Sequence, residues 1–167
     1  MKGKVLVLGL GNILMRDEGL GVRAVERLRE EYVLPERVQA LDGGVRGLAL
    51  LPYLEEISRL LIIDALKQEG KAPGSLIRLE GEEIPSFLSL KISPHQEGLT
   101  DLLAVARLTG ICPPEVVLWG MVPACLEVGL ELSPPVEARM GELVEEVVEE
   151  LRRWGLDVRR RDKVDTD

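Results

Sequence analysis

The chain has 167 residues, 46% of them apolar and only 3% aromatic, which suits a single domain with one core packed mainly from Leu and Val. A formal charge of -8 excludes a general nucleic-acid surface, because phosphate contacts need a concentrated positive footprint. Cys112 and Cys125 are too few and too widely spaced for a disulfide framework or a four-ligand zinc site and are expected as buried structural thiols; no charged leader or run of about twenty apolar residues is present, so a soluble, cytoplasmic protein without membrane contact is expected.

Lys4 to Leu10 is a β-rich aliphatic run and predicts a strand covered on both faces. Gly11, Gly19 and Gly21 then permit a tight turn, and Val22, Val25, Leu28 and Tyr32 share one face of a helix beginning near Leu20. Val38 to Leu41 predicts a short strand ending at Asp42-Gly43-Gly44. Leu48, Leu51 and Leu54 suggest a helix, although Pro52 opposes a continuous one. Leu60 to Ile63 is a second strongly apolar strand, ending at Asp64. Leu76 to Leu79 reads as an edge strand because Arg78 interrupts it.

The segment from Glu82 to Lys91 contains Ile84, Pro85, Phe87, Leu88 and Leu90 among turn residues, and suits either a lid or docking patch or a loop packed on the core. Leu99, Leu102, Leu103 and Ala106 give a helical face stopped by Gly110, and Val116 to Trp119 is a further strand. The last helix has Ser133 as its expected cap, Pro134 in first position, a stripe of Val136, Met140, Leu143, Val147 and Leu151, and Gly155 as its stop. Residues 1–156 are therefore expected as one α/β domain, a three-layer sandwich with a mostly parallel twisted sheet of about five strands flanked by helices. Residues 157–167, almost wholly charged, are expected as a frayed tail.

In such an architecture ligands gather beyond the carboxyl ends of the strands. Glu18 follows one such end, Asp64 closes another, and His95, the only histidine, lies in Ser93-Pro94-His95-Gln96 ahead of a helix. Two converging carboxylates repel without a cation, whereas a divalent metal would make both good ligands. With His95 they would form a mixed oxygen and nitrogen set suited to nickel, zinc, cobalt, manganese or iron, with room for a substrate atom. Separate surface acids and a hydrogen-bonding histidine are the competing reading. Asp17 is expected to cap the helix near Leu20 or to support the site from behind, Asn12 to bond across its turn or to meet a bound peptide, and Asp42 to serve its turn or touch substrate.

Gly9-Leu10-Gly11 resembles the start of a dinucleotide fingerprint, but Leu14 stands where its third glycine belongs, and Asp17 and Glu18 would repel a pyrophosphate. Neither GxSxG nor HExxH occurs, and Cys112 has no base within its segment, so covalent catalysis is the poorer route.

Five ordered segments carry a resemblance: Gly9-Leu10-Gly11-Asn12-Ile13-Leu14 leading into Asp17-Glu18-Gly19-Leu20-Gly21, Leu41-Asp42-Gly43-Gly44, Ile62-Ile63-Asp64-Ala65, and Lys91-Ile92-Ser93-Pro94-His95-Gln96. From Val5 to about Trp154 the chain resembles the hydrogenase maturation endopeptidases. The resemblance implies a phosphorylase/hydrolase-like α/β fold, with Glu18, Asp64 and His95 as metal-contacting and catalytic residues. It implies as substrate a [NiFe] hydrogenase large-subunit precursor already loaded with Ni2+, cut after a His or Arg near its C-terminal cysteine motif. The nickel would come from that substrate. Members often have Thr after the Asp-Gly-Gly turn, where this chain has Val45. A monomer is expected. Two rival readings stay open: a small hydrolase such as a peptidyl-tRNA hydrolase, whose opening Gly9-Leu10-Gly11-Asn12 resembles, and a non-catalytic nickel metallochaperone.

Overall fold

The computed structural model describes residues 3–89 and 94–162, with only the backbone of residues 94–97. Its elements in chain order are β1 (Lys4–Leu10), α1 (Leu20–Glu31), β2 (Tyr32–Val33), β3 (Val38–Gly44), β4 (Ile57–Ala65), β5 (Leu76–Glu80), α2 (Glu83–Ser89), α3 (Pro94–Leu108), β6 (Glu115–Met121), α4 (Pro134–Arg153) and β7 (Arg159–Arg160). Two 3-10 helices, Arg16–Gly19 and Gly47–Leu54, lie between them.

The five-stranded sheet has the order β3-β1-β4-β6-β5. Its first four strands run parallel, and β5 closes one edge antiparallel to β6. Alternate residues along each central strand feed opposite cores. Val5 and Val7 of β1, Leu61 and Ile63 of β4, and Val117 and Trp119 of β6 pack under α1 and α4. Leu6 and Leu8, Leu60 and Ile62, and Val116 and Leu118 face α2, α3 and the Gly47–Leu54 helix. Strands covered on both faces need no polar alternation, which is why they read as unbroken apolar runs. The expected three-layer sandwich is the fold observed.

Chain direction around β1 matters most for the site. From β1 the chain passes through α1 to β3 on one flank, then returns to β4 on the other, so β1 and β4 flank the point where the sheet's winding reverses. At such a point the loops leaving neighbouring carboxyl ends part and leave a crevice. Helix α1 starts directly above it because Gly21 has no side chain: a Cβ there would stand 2.1 Å from the Ile63 carbonyl oxygen and 2.5 Å from that of Leu10.

Several expectations change. The segment holding Leu48, Leu51 and Leu54 is a 3-10 helix, whose tighter turn accommodates Pro52, and it buries Leu50 and Leu54 while Leu48 is exposed. Over 83–89 the Glu82 to Lys91 segment is not a loop: it forms α2, and it packs on the core through Ile84 and Leu88. Leu90 to Ser93 lie outside the described residues. The strand from Leu76 is the edge strand expected, and its exposed Arg78 is engaged from the strand's face. Its guanidinium donates to both Glu150 carboxylate oxygens, at 2.7 and 3.0 Å, and Glu150 also accepts from the Trp119 indole at 3.0 Å, which pins β5 to α4. Tyr32, placed on the helical face by its spacing, is the first residue of β2 and is buried there.

The tail is ordered further than its charge suggested. Leu156 and Val158 are buried, and Arg159–Arg160 pair antiparallel with Tyr32–Val33. Arg160 stacks its guanidinium over the Tyr32 ring at 5.4 Å, so residues 157–162 are not a frayed end; 163–167 lie outside the described residues. Neither cysteine is fully buried, both being half-buried free thiols.

Substituting Gly21→Ala forces α1 off two strand carbonyls and is expected to cost about 2–3 kcal/mol. Urea unfolding of the variant against the unsubstituted protein measures this, and equal midpoints would contradict the close packing described.

Candidate functional site

The site begins at the end of β1. Gly11 has φ +126°, and a Cβ there would fall 1.8 Å from the Glu18 carbonyl oxygen, so only glycine lets the following turn fold back onto the strand end. Asn12 holds that turn from within, its Oδ1 accepting from the Leu14 N–H at 2.9 Å. This is the structural one of its two expected roles. The Gly11 N–H donates to the Gly44 carbonyl at 2.9 Å, joining the first glycine turn to the Asp42-Gly43-Gly44 turn at the end of β3.

Arg16 then adopts φ +49°, a left-handed conformation uncommon for a side chain of its size. It is held by its surroundings: its N–H donates to the Gly129 carbonyl at 3.0 Å and its Nε to the Glu131 carbonyl at 3.0 Å. Asp17 follows, wholly buried. Its Oδ2 accepts from the N–H groups of Ala124 (2.8 Å) and Cys125 (2.9 Å) and from the Ser133 hydroxyl (2.6 Å), while Oδ1 accepts from the Ser133 N–H at 2.8 Å. Burial pushes its carboxyl pKa up, but the bonds from Ser133, Cys125 and Ala124 more than offset this, and the net shift is downward.

Asp17 therefore caps neither α1 nor the turn beside it. It is gripped by the start of α4 and the loop after β6, and Ser133, expected to cap α4 with its own hydroxyl, spends that hydroxyl on Asp17. No local spacing announces this partnership, because 116 positions separate the two residues. With Asp17 locked, the direction of the next residue, Glu18, is set. Glu18 is half-buried and stands toward the crevice beside β4.

Asp64 comes from the other side of the winding reversal. It is the penultimate residue of β4, paired in register with Gly120 of β6, and is wholly buried. Its Oδ1 accepts from the Ala65 N–H at 2.8 Å. Burial raises its pKa to about 8, opposed by the Ala65 bond and reinforced by the charge of Glu18. Two of the three predicted site residues are thus brought into electrostatic contact. His95 lies on the first turn of α3, and its side chain is outside the described residues. Among the described residues no group of three His, Cys, Asp or Glu side chains is arranged to hold a metal. The donor set that is described, one buried and one half-buried carboxylate, fits a hard divalent cation.

A family model described as "HycI: Hydrogenase maturation protease" matches residues 22–150. The chain belongs to the hydrogenase maturation protease family. Like the family, it is a peptidase. The "Hydrogenase 2 maturation protease" of Escherichia coli is 42% identical over 161 residues, covering 96% of this chain and 98% of its own length. The "Hydrogenase expression/formation protein HupD" of Rhodobacter capsulatus is 43% identical over 166 residues, covering 98% of this chain and 79% of its own. Among solved structures, the hydrogenase maturating endopeptidase HybD of E. coli superposes with TM-score 0.90 at 43% identity, covering 95% of this chain and 98% of that one. A hydrogenase maturation protease from Thermococcus kodakarensis superposes at 0.74 with 32% identity, covering 89% and 98%. Neither a peptidyl-tRNA hydrolase nor a metallochaperone is the family found.

The raised pKa of Asp64 has a defined sign in stability. The folded state holds this proton more tightly than the unfolded chain, so the group's contribution is full below about pH 4 and is lost as pH rises toward about 8. Asp64→Asn removes that loss. The protease variant is expected to melt above the parent at pH 8, with the difference shrinking toward pH 4, and thermal scans across that range check it.

For Asp17→Asn, an amide N–H2 must face at least one N–H or O–H donor, so a loss of about 2–3 kcal/mol in denaturant unfolding is expected. Ser133→Ala removes one donor and is expected to be milder in the same assay.

Proposed function

We propose that this protease removes the C-terminal extension of a [NiFe] hydrogenase large-subunit precursor already carrying nickel, cutting after a His or Arg near the precursor's C-terminal cysteine motif. The reaction takes place in the cytoplasm with the protease as a monomer. The observation that carries this reading is the Glu18 and Asp64 pair at the winding reversal of the sheet: a buried carboxyl beside a second acid is costly alone and is relieved by a dication. The names of the relatives support the substrate class.

Glu18, Asp64 and His95 receive the nickel that the precursor brings. The precursor's thiolates supply the soft ligands, while this chain adds oxygen and imidazole donors. Asp64, with its pKa near 8, carries its proton at neutral pH until the cation arrives and then releases it. Nickel so held supplies Lewis-acid polarisation of a peptide carbonyl or of a water. The turn fixed by Asp17 and the end of β4 set where the scissile segment comes to rest, which converts metal recognition into alignment of the bond to be cut.

Mass measurement of a nickel-loaded precursor before and after incubation tests the reading. A defined C-terminal loss is expected, with little cleavage of nickel-free precursor. Glu18→Gln, Asp64→Asn and His95→Ala are each expected to fold and to slow processing about 100-fold or more. Parental rates in all three variants would reject the assignment, and equal cleavage with and without nickel would reject metal recognition.

A further inference from the structure

Grouped aliphatic side chains left in water mark a surface that something covers, and such a group stands at the rim of the candidate site. Leu14 is 57% exposed, Val128 82% and Leu130 62%. They belong to two segments joined by a parallel bridge between Met15 and Gly129, in which the Gly129 N–H donates to the Leu14 carbonyl at 2.9 Å and the Arg16 N–H to the Gly129 carbonyl at 3.0 Å. Segments bridged in this way run about 4.8 Å apart, so Leu14 lies alongside Val128 and Leu130 and the three make one ridge.

The ridge is held from beneath. Ala124 and Cys125 donate their N–H groups to buried Asp17, the Arg16 Nε donates to the Glu131 carbonyl, and an Arg23 Nη donates to the Leu130 carbonyl at 3.3 Å. Two guanidinium groups and a buried carboxylate thus fix exposed aliphatic side chains in place, which lowers the ordering cost of docking. Beside the ridge the surface falls into an open groove of about 450 Å³, lined by Leu130, Leu132 and Met140 together with Arg23, Arg27, Glu131 and Glu137. A ridge next to a groove with charges of both signs matches the contoured surface of a folded protein and not a flat lipid surface.

Two features choose the occupant. The ridge is continuous with the candidate site: Leu14 precedes Glu18 by four positions, and Asp17 ties that turn to the loop bearing Val128 and Leu130, so a protein with a segment held at Glu18 lies over the ridge. The charged border of the ridge is acidic, since Glu127 and Glu131 are exposed next to Val128 and Leu130 while the Arg16 and Arg23 guanidiniums donate to loop carbonyls. The partner area that fits is apolar and bordered by Lys or Arg.

We propose that this ridge and groove are a docking surface for the folded body of the hydrogenase large-subunit precursor, gripping an apolar area bordered by basic side chains and separate from the segment that is cut. The proposal rests on the processing reading above and gives the protease a hold on its substrate that does not pass through the metal.

The test is the affinity of the protease for nickel-loaded precursor, with and without Val128→Lys and Leu130→Lys made together. Both side chains are exposed, so the double variant is expected to melt with the parent. It is expected to bind the precursor about tenfold or more weakly, with KM rising by that factor and kcat at saturating precursor kept. Val128→Ile with Leu130→Met is expected to bind as the parent does. Equal affinity in the folded double variant would overturn the docking surface, and so would a loss of kcat with KM unchanged. Should the double variant fail to fold, the unsubstituted protein decides: the methyl resonances of Leu14, Val128 and Leu130 are expected to lose exposure to a soluble paramagnetic probe when precursor is added, and unchanged exposure would overturn the proposal.

Sedimentation of the protease alone is expected to give a monomer. A dimer broken by the double variant would assign the ridge to a second copy of this chain and overturn the proposal. Precursor bound at the ridge but not cut by the unsubstituted protein would overturn the processing reading alone, and precursor neither bound nor cut would overturn both.

Discussion

Four strands running the same way set the terms for this molecule. Because β3, β1, β4 and β6 are parallel, their carboxyl ends share one edge, and every turn leaving that edge starts within reach of the others. The reversal of winding beside β1 then separates the departing loops over β1 and β4. Asp64 needs no loop to reach the crevice, since it belongs to β4 itself, and Glu18 reaches it from a short turn after β1. A parallel sheet pays for long crossovers in folding speed, and gains an edge where distant residues converge.

Precision at that edge comes from polar groups removed from water. Asp17 and Asp64 are both wholly buried acids within a few residues of strand ends, yet their environments drive them in opposite directions. Asp17 is surrounded by four donors and is held ionised, so it acts as a fixed joint between the Glu18 turn, the loop after β6 and α4. Asp64 has the Ala65 N–H beside it and the Glu18 charge against it, and its burial outweighs that bond, so its pKa is raised. One acid is held charged and builds the frame, and the other is driven toward its protonated form. The strained backbone of Arg16 belongs to the frame as well, since its turn is over-determined by contacts to the 125–131 loop.

The unannounced parts of the fold are those whose partners lie far away in sequence. The two-stranded pairing of Arg159–Arg160 with Tyr32–Val33 could not be read from a run of charges, because its stability comes from Leu156 and Val158 entering the core and from Arg160 lying over Tyr32. Helix α2 is short and begins among turn residues, so its seven residues offered too little periodicity to separate it from a packed loop. In the Gly47–Leu54 segment the spacing of three was present, but the buried residues fell on Leu50 and Leu54, chosen by the slot beneath them and not by the helix itself.

What the amino-acid order determined alone was whatever depends on local repetition and on residue chemistry. Unbroken aliphatic runs fixed β1, β4 and β6 as strands buried on both faces, the stripe from Val136 to Leu151 fixed α4, and the scarcity of histidine and the acids at strand ends singled out Glu18, Asp64 and His95. Only the tertiary structure decided that the charges of Glu18 and Asp64 are coupled across the reversal beside β1, that Asp17 is clamped by Ser133, and that Gly11, Gly44, Gly47 and Gly98 come to line one cavity. The reason is physical: burial, charge coupling and close backbone approach are properties of groups brought together through space, and a chain's local periodicity carries no measure of that distance.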